Sequence, residues 1–69
     1  MQFGTVKMWD SSKGFGFIVS DDDDDDLFVH VSNLQVTVKG NRLEEGQRVG
    51  FDVRRDMKGD KAINVRVID

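Results

Sequence analysis

The segments KGFGFI at residues 13 to 18 and LFVH at residues 27 to 30 put Phe15, Phe17, Phe28 and His30 at alternate positions of two short runs. A β-strand turns successive side chains to opposite faces, so this spacing gathers three phenyl rings and an imidazole on one side of a strand pair. Planar side chains on a common face stack against flat π-surfaces, and an unpaired base gains ~1 to 3 kcal/mol from each such contact. Lys7 and Lys13 stand close by in sequence, and ammonium groups attract phosphate without reading sequence. Gly14 and Gly16 alternate with the rings and leave room for a base to lie flat. The competing reading, a Phe-Gly-Phe strand buried on both faces, fits poorly, because a chain of 69 residues can hardly cover both faces of its sheet.

The elements that must position these side chains follow from alternation and punctuation. Residues 2 to 9 form the first strand candidate, with Asp10 to Lys13 as a turn. The second strand runs from Gly14 to Ser20 and the third from Leu27 to Val31, with the aspartate run between them as a solvated hairpin loop, since adjacent carboxylates repel one another and resist a β ladder. In the third strand Leu27, Val29 and Val31 share the core face, which turns Phe28 and His30 outward; Gly16 and Ile18 likewise point inward and leave Phe15 and Phe17 outside. Ser32 to Leu34 resembles one helical turn capped by Ser32, and residues 35 to 46 form a long crossing connection. Val49, Phe51 and Val53 mark a fourth strand over Arg48 to Arg55, and Ile63, Val65 and Val67 a fifth over Ala62 to Ile68. Five short strands with hardly any helix imply an all-β fold, a small antiparallel barrel over residues 1 to 69 as one domain.

Composition narrows the function classes. The chain has no cysteine and one histidine, which removes disulfides and a Cys/His zinc site. No serine or histidine stands in a nucleophilic setting, so no catalytic residue, cofactor or metal ligand is assigned. The aspartate run lacks the interleaved glycine and distant glutamate of a calcium loop. No stretch reaches the ~20 apolar residues of a membrane span, and the expected location is the cytoplasm. The formal charge of −3 opposes nucleic-acid binding only on average. Asp21 to Asp26 hold six of the thirteen acids, leaving seven against ten bases elsewhere, so a surface away from that run can be basic.

Taken together, these residues resemble the cold-shock domain. KGFGFI resembles its first ribonucleoprotein motif and LFVHVS its second, and the likeness extends through GTVK near the start, LEEGQRVGFDV at 43 to 53 and KGDKAINV at 58 to 65. The resemblance implies a five-stranded oligonucleotide-binding (OB-fold) barrel that binds single-stranded RNA and DNA with low selectivity, as an RNA chaperone or transcription antiterminator, with cold adaptation among the family's roles. Carried over position by position, it implies contacts from Lys7, Lys13, Phe15, Phe17, Phe28 and His30, and from Lys58 through the family's matching loop. A monomer is expected, with a strand-exchanged dimer as the alternative, and no membrane or small-molecule partner.

The departures from the family pattern carry consequences of their own. Met8 stands where the family keeps a stacking tryptophan, Val31 where it often has an aromatic, and VTVKGNR in the long connection lacks a ring. Strict alternation would turn Val6 and Met8 inward and Lys7 and Trp9 outward, giving the indole a shifted place on the platform; the other placement has Trp9 filling the barrel edge. Phosphate contacts from Lys39, Arg42, Lys58 and Lys61 could offset missing rings and would make binding salt-sensitive. A barrel stripped of much of its stacking surface could instead serve as a protein-interaction module.

Overall fold

The computed structural model describes residues 1–22 and 26–68. Five strands appear in chain order: β1 (Gln2–Asp10), β2 (Phe15–Ser20), β3 (Asp26–His30), β4 (Arg48–Arg54) and β5 (Lys61–Val67). They close into a barrel in the order β1, β2, β3, β5, β4. All pairings are antiparallel except the short parallel contact between β3 and β5. This is the five-stranded oligonucleotide-binding architecture implied by the sequence, with each strand within one residue of its expected bounds.

The core explains why these segments are strands. Val6, Ile18, Leu27, Val29, Val49, Phe51, Ala62 and Val65 from all five strands are sealed inside, joined by Val38 and Leu43 from the long connection. Within β2 the burial alternates strictly, with Gly16, Ile18 and Ser20 inside and Phe15, Phe17 and Val19 half-buried. That alternation is the signature of a sheet with one covered face.

Two strands depart from the expected alternation, both at bulges. In β1 the register passes from Val6 opposite Ile18 to Met8 opposite Phe17, so one extra residue, at Lys7, is accommodated. The phase flips there. Trp9 lies opposite Gly16 and packs against the core, while Met8 joins the side of Phe17. The expectation that Trp9 shares the outer face with Lys7 is therefore corrected: of the two placements, the indole takes the barrel edge. In β5 two residues, Asn64 and Val65, stand opposite the single Phe51 of β4, between the Gly50–Arg66 and Asp52–Ile63 pairs. Asn64 has φ of 52° there, a left-handed conformation that asparagine tolerates better than most residues. The shift makes Ala62 and Val65 the buried positions, in place of the expected run of Ile63, Val65 and Val67.

The third strand ends one residue early. Val31 opens a 3-10 turn over Val31–Asn33, and its cap is His30, whose ring accepts the Ser32 amide; the expected Ser32 cap is corrected accordingly. The hairpin tip of the aspartate run lies outside the described residues, but its ends are not simply solvated. Asp26 begins β3 and pairs with Lys7, and Asp21 receives two hydrogen bonds from the Arg48 guanidinium, at 2.8 and 2.6 Å.

Gly16 leaves no room for a side chain where β2 lies against β1. A Cβ there would press on the Met8 carbonyl oxygen and come within 2.8 Å of Trp9 Cε3. Gly16→Ala should therefore destabilise the barrel by ~1 to 3 kcal/mol, the usual cost of overpacking, measured as a lower urea midpoint with unchanged slope. A midpoint equal to that of the parent would mean that the β1 backbone at Met8 and the indole both give way at no cost.

Candidate nucleic-acid interface

The β2–β3 ladder sets the platform. Phe15 pairs with His30 and Phe17 with Phe28, so the four side chains occupy two adjacent cross-strand pairs. The three phenyl rings touch one another. Phe15 and Phe28 stack with centroids 5.6 Å apart and planes 27° from parallel, and Phe17 meets Phe15 and Phe28 edge-on at 6.3 and 5.9 Å. Such geometries are the ones favoured by the ring quadrupoles. All three rings are half-buried on the outer side of the barrel, while Ile18, Leu27 and Val29 between them are sealed within.

His30 is exposed, and its ring is held by its neighbour: the Ser32 amide donates to Nδ1 at 3.1 Å, with Ser32 Oγ 2.9 Å from the same nitrogen. Because an amide can only donate, Nδ1 is an acceptor in this arrangement and the ring proton sits on Nε2. The imidazole is thus fixed in orientation at the end of the platform.

Lys13 is presented by the turn between β1 and β2. The Asp10 carboxylate accepts hydrogen bonds from the Ser12 amide, the Ser12 hydroxyl and the Lys13 amide, and Gly14, at φ of 72°, closes the turn by donating to the Asp10 carbonyl. The Ser12 hydroxyl bond, then the Lys13 amide bond, hold the Asp10 carboxyl below the usual aspartate range. Lys7, at the bulge, is exposed and makes an ion pair of 2.9 Å with Asp26. Such exposed pairs contribute little to stability, and Lys7 can exchange its partner.

The other flank comes from the loop before β5. Phe28 pairs in parallel with Lys61, and Lys58, Gly59, Asp60 and Lys61 join Phe17 and Phe28 around an open, mainly apolar cavity of about 400 Å³. Asp56 organises this loop by accepting from the Lys58 amide at 3.3 Å and pairing with Lys61 at 3.2 Å. The amide bond first, then Lys61, lower its pKa.

Of the sequence-predicted residues, Phe15, Phe17, Phe28 and His30 thus share one face, Lys7 and Lys13 lie at its β1 edge, and Lys58 lies at its β5 edge. Trp9 does not join the face: it packs behind Gly16 with its Nε1 buried and without a partner among the described residues. Arg42 lines a separate cleft with Met8 and Trp9, and together with Lys39 a second one beside Gln47 and Val67. Alternation turned Met8 inward, whereas the bulge aligns it with Phe17, and sequence reading passed over Asp60 beside the floor.

The closed five-stranded order defines a small barrel of the oligonucleotide-binding type. The sequence matches the family described as the "'Cold-shock' DNA-binding domain" over residues 2–68. It is 47% identical over 66 residues to the "Cold shock-like protein" of Aquifex aeolicus, covering 94% of this chain and 91% of that one. Against the "Cold shock protein ScoF" of Streptomyces coelicolor it is 47% identical over 66 residues, covering 94% and 96% of the two chains. Against the "Probable cold shock protein A" of Mycolicibacterium smegmatis it is 46% identical over 69 residues, covering 99% and 100%. The chain belongs to the cold-shock domain family.

The Asp10 turn yields a pH test. A carboxyl whose folded pKa is depressed adds stability that is complete above the unfolded value of about 3.9 and is lost as pH falls below it through the folded value. Asp10→Ala should lower the melting temperature at pH 7 more than at pH 2.5, with the gap between variant and parent closing below about pH 4. A gap that stays constant down to pH 2.5 would show that the turn does not depend on the charged carboxylate.

Proposed function

We propose that this protein binds single-stranded RNA and DNA across the β2–β3 face with little sequence selectivity, and acts as an RNA chaperone or transcription antiterminator that serves cold adaptation. The observation that carries the reading is the cluster of three mutually touching phenyl rings on the outer side of the barrel. In a chain of this size an apolar outer face lowers solubility unless it has a partner, and unpaired bases supply flat partners of the right shape. Lys7, Lys13 and Lys58 flank the rings and hold the phosphate backbone, while His30 closes one end.

The work done is by mass action. A protein that binds only the open strand pulls a weak hairpin toward it by RT ln(1 + [L]/Kd), with no nucleotide hydrolysis. Binding without catalysis, in the cytoplasm and as a monomer, is the corresponding picture of the whole protein. No helix among the described residues is long and apolar enough to cross a membrane.

Titration of a labelled heptathymidine, followed by anisotropy at two salt concentrations, tests the reading. Phe17→Ala and Phe28→Ala should each weaken binding by ~1 to 3 kcal/mol while leaving the far-UV circular dichroism unchanged, and affinity should fall steeply with salt. Absence of binding by the parent protein at low salt would overturn the reading in favour of a protein-interaction module.

Met8 supplies a second test, because it lies opposite Phe17 at the place where a further ring would extend the floor. Met8→Trp should tighten heptathymidine binding by up to ~1 to 3 kcal/mol, and equal affinity would put residue 8 outside the footprint.

A further inference from the structure

The cavity at the β5 flank has an edge as well as a floor. Its floor is Phe17 and Phe28, and its rim is Lys58, Gly59, Asp60 and Lys61. Of the loop's two carboxylates, Asp56 is committed to the Lys58 amide and to Lys61. Asp60 is exposed, and among the described residues its carboxylate takes part in no hydrogen bond or ion pair. Beside it, Gly59 adopts φ of 130°, and a Cβ there would meet nothing within 4 Å. The space next to the rings is therefore open, and Asp60, which also lines a neighbouring cleft with Asp26 and Arg55, stands on its rim together with Lys58.

A carboxylate in that position repels most bases. The Watson–Crick edge of thymine or uracil sets one N–H between two carbonyl oxygens, and cytosine and adenine each set one amino group beside an acceptor nitrogen. Only guanine offers two donors side by side, N1–H and N2–H, which match the two oxygens of a carboxylate. Its O6, next along the same edge, suits an ammonium donor.

We propose that this cavity is a guanine-selective subsite, in which a base stacked on Phe17 and Phe28 presents its Watson–Crick edge to Asp60, with Lys58 facing O6. The inference rests on the nucleic-acid reading above and adds one selective position to an otherwise sequence-tolerant floor. Asp60 is the residue that sets the preference, and the lysines alone would favour no base.

Anisotropy titrations with heptathymidine, and with seven heptamers each carrying one guanine in place of a thymine, test it. At least one guanine position should bind roughly 5- to 100-fold more tightly than heptathymidine, the span of a good bidentate base contact. Hypoxanthine at that position, which lacks the N2 amino group, should lose much of the gain. Asp60→Asn removes a negative charge and shifts all affinities, so the readout is the ratio of guanine to thymine binding, which should fall toward one. Equal binding of all eight oligomers, or a ratio that survives Asp60→Asn, would overturn the subsite while leaving the platform standing. No binding by any of the eight would overturn the platform and the subsite together.

Discussion

Ile18, Leu27 and Val29 are sealed inside the barrel, and that burial fixes where the remaining side chains of β2 and β3 can point. Side chains in a strand alternate with a period of two, so a slip of one residue would expose these three aliphatics and drive the phenyl rings inward. Each buried aliphatic is worth ~1.5 to 3 kcal/mol, a large share of what a domain this small has available. The register is pinned from inside, and Phe15, Phe17, Phe28 and His30 emerge on one outer patch as its necessary complement. The platform is thus a consequence of the core and needs no separate force to assemble it, although its rings gain further from their stacked and edge-on contacts.

That coupling is why so much was legible in the sequence. Where alternation is strict, as in β2, the inward and outward sets could be written down from residue types alone. Where a bulge intervenes it could not. Nothing in VKMWD signals that Lys7 is the extra residue of β1; the bulge comes from pairing with β2 across the barrel, and alternation carried past it places Met8 and Trp9 on the wrong sides. The close fit of Trp9 against Gly16, a consequence of that phase change, depends on a long-range contact as well. Asn64 behaves in the same way in β5, although an asparagine in a strand pattern is a residue suited to a left-handed conformation. The cap at His30 escaped for a different reason: serine and asparagine are the usual caps, and a ring nitrogen in that role is visible only once the ring's direction is known.

Charge placement follows a related logic. The chain is acidic overall, and acidic partners pair with two of the cations around the face, Asp26 with Lys7 and Asp56 with Lys61. These exposed pairs are weak in high dielectric. They keep the face from being strongly basic in the free protein while leaving the ammonium groups able to turn to phosphate. Arg48 is held differently, by two hydrogen bonds to Asp21, which raise its pKa while lowering that of Asp21. That pair ties the end of β2 to the start of β4, and Arg48 is not among the residues flanking the rings.

The barrel's thinnest seam lies beside the aromatic face. β3 and β5 meet in parallel at Phe28 and Lys61, with an isolated bridge between Leu34 and Val65 beyond. A full ladder at this seam would have paired the backbone along β3 and drawn the residues before Lys61 into β5. With the pairing cut short, the loop from Asp56 to Asp60 stands beside the rings, bringing lysines and a carboxylate to the floor's edge. Closing the barrel so sparingly gives up ladder hydrogen bonds, each worth ~0.5 to 1.5 kcal/mol net, and the space so left is where polar groups capable of distinguishing one base from another can stand. In a domain with no disulfide to fall back on, this concession is offset by the longer antiparallel ladders that join β1 to β2 and to β4 on the opposite wall.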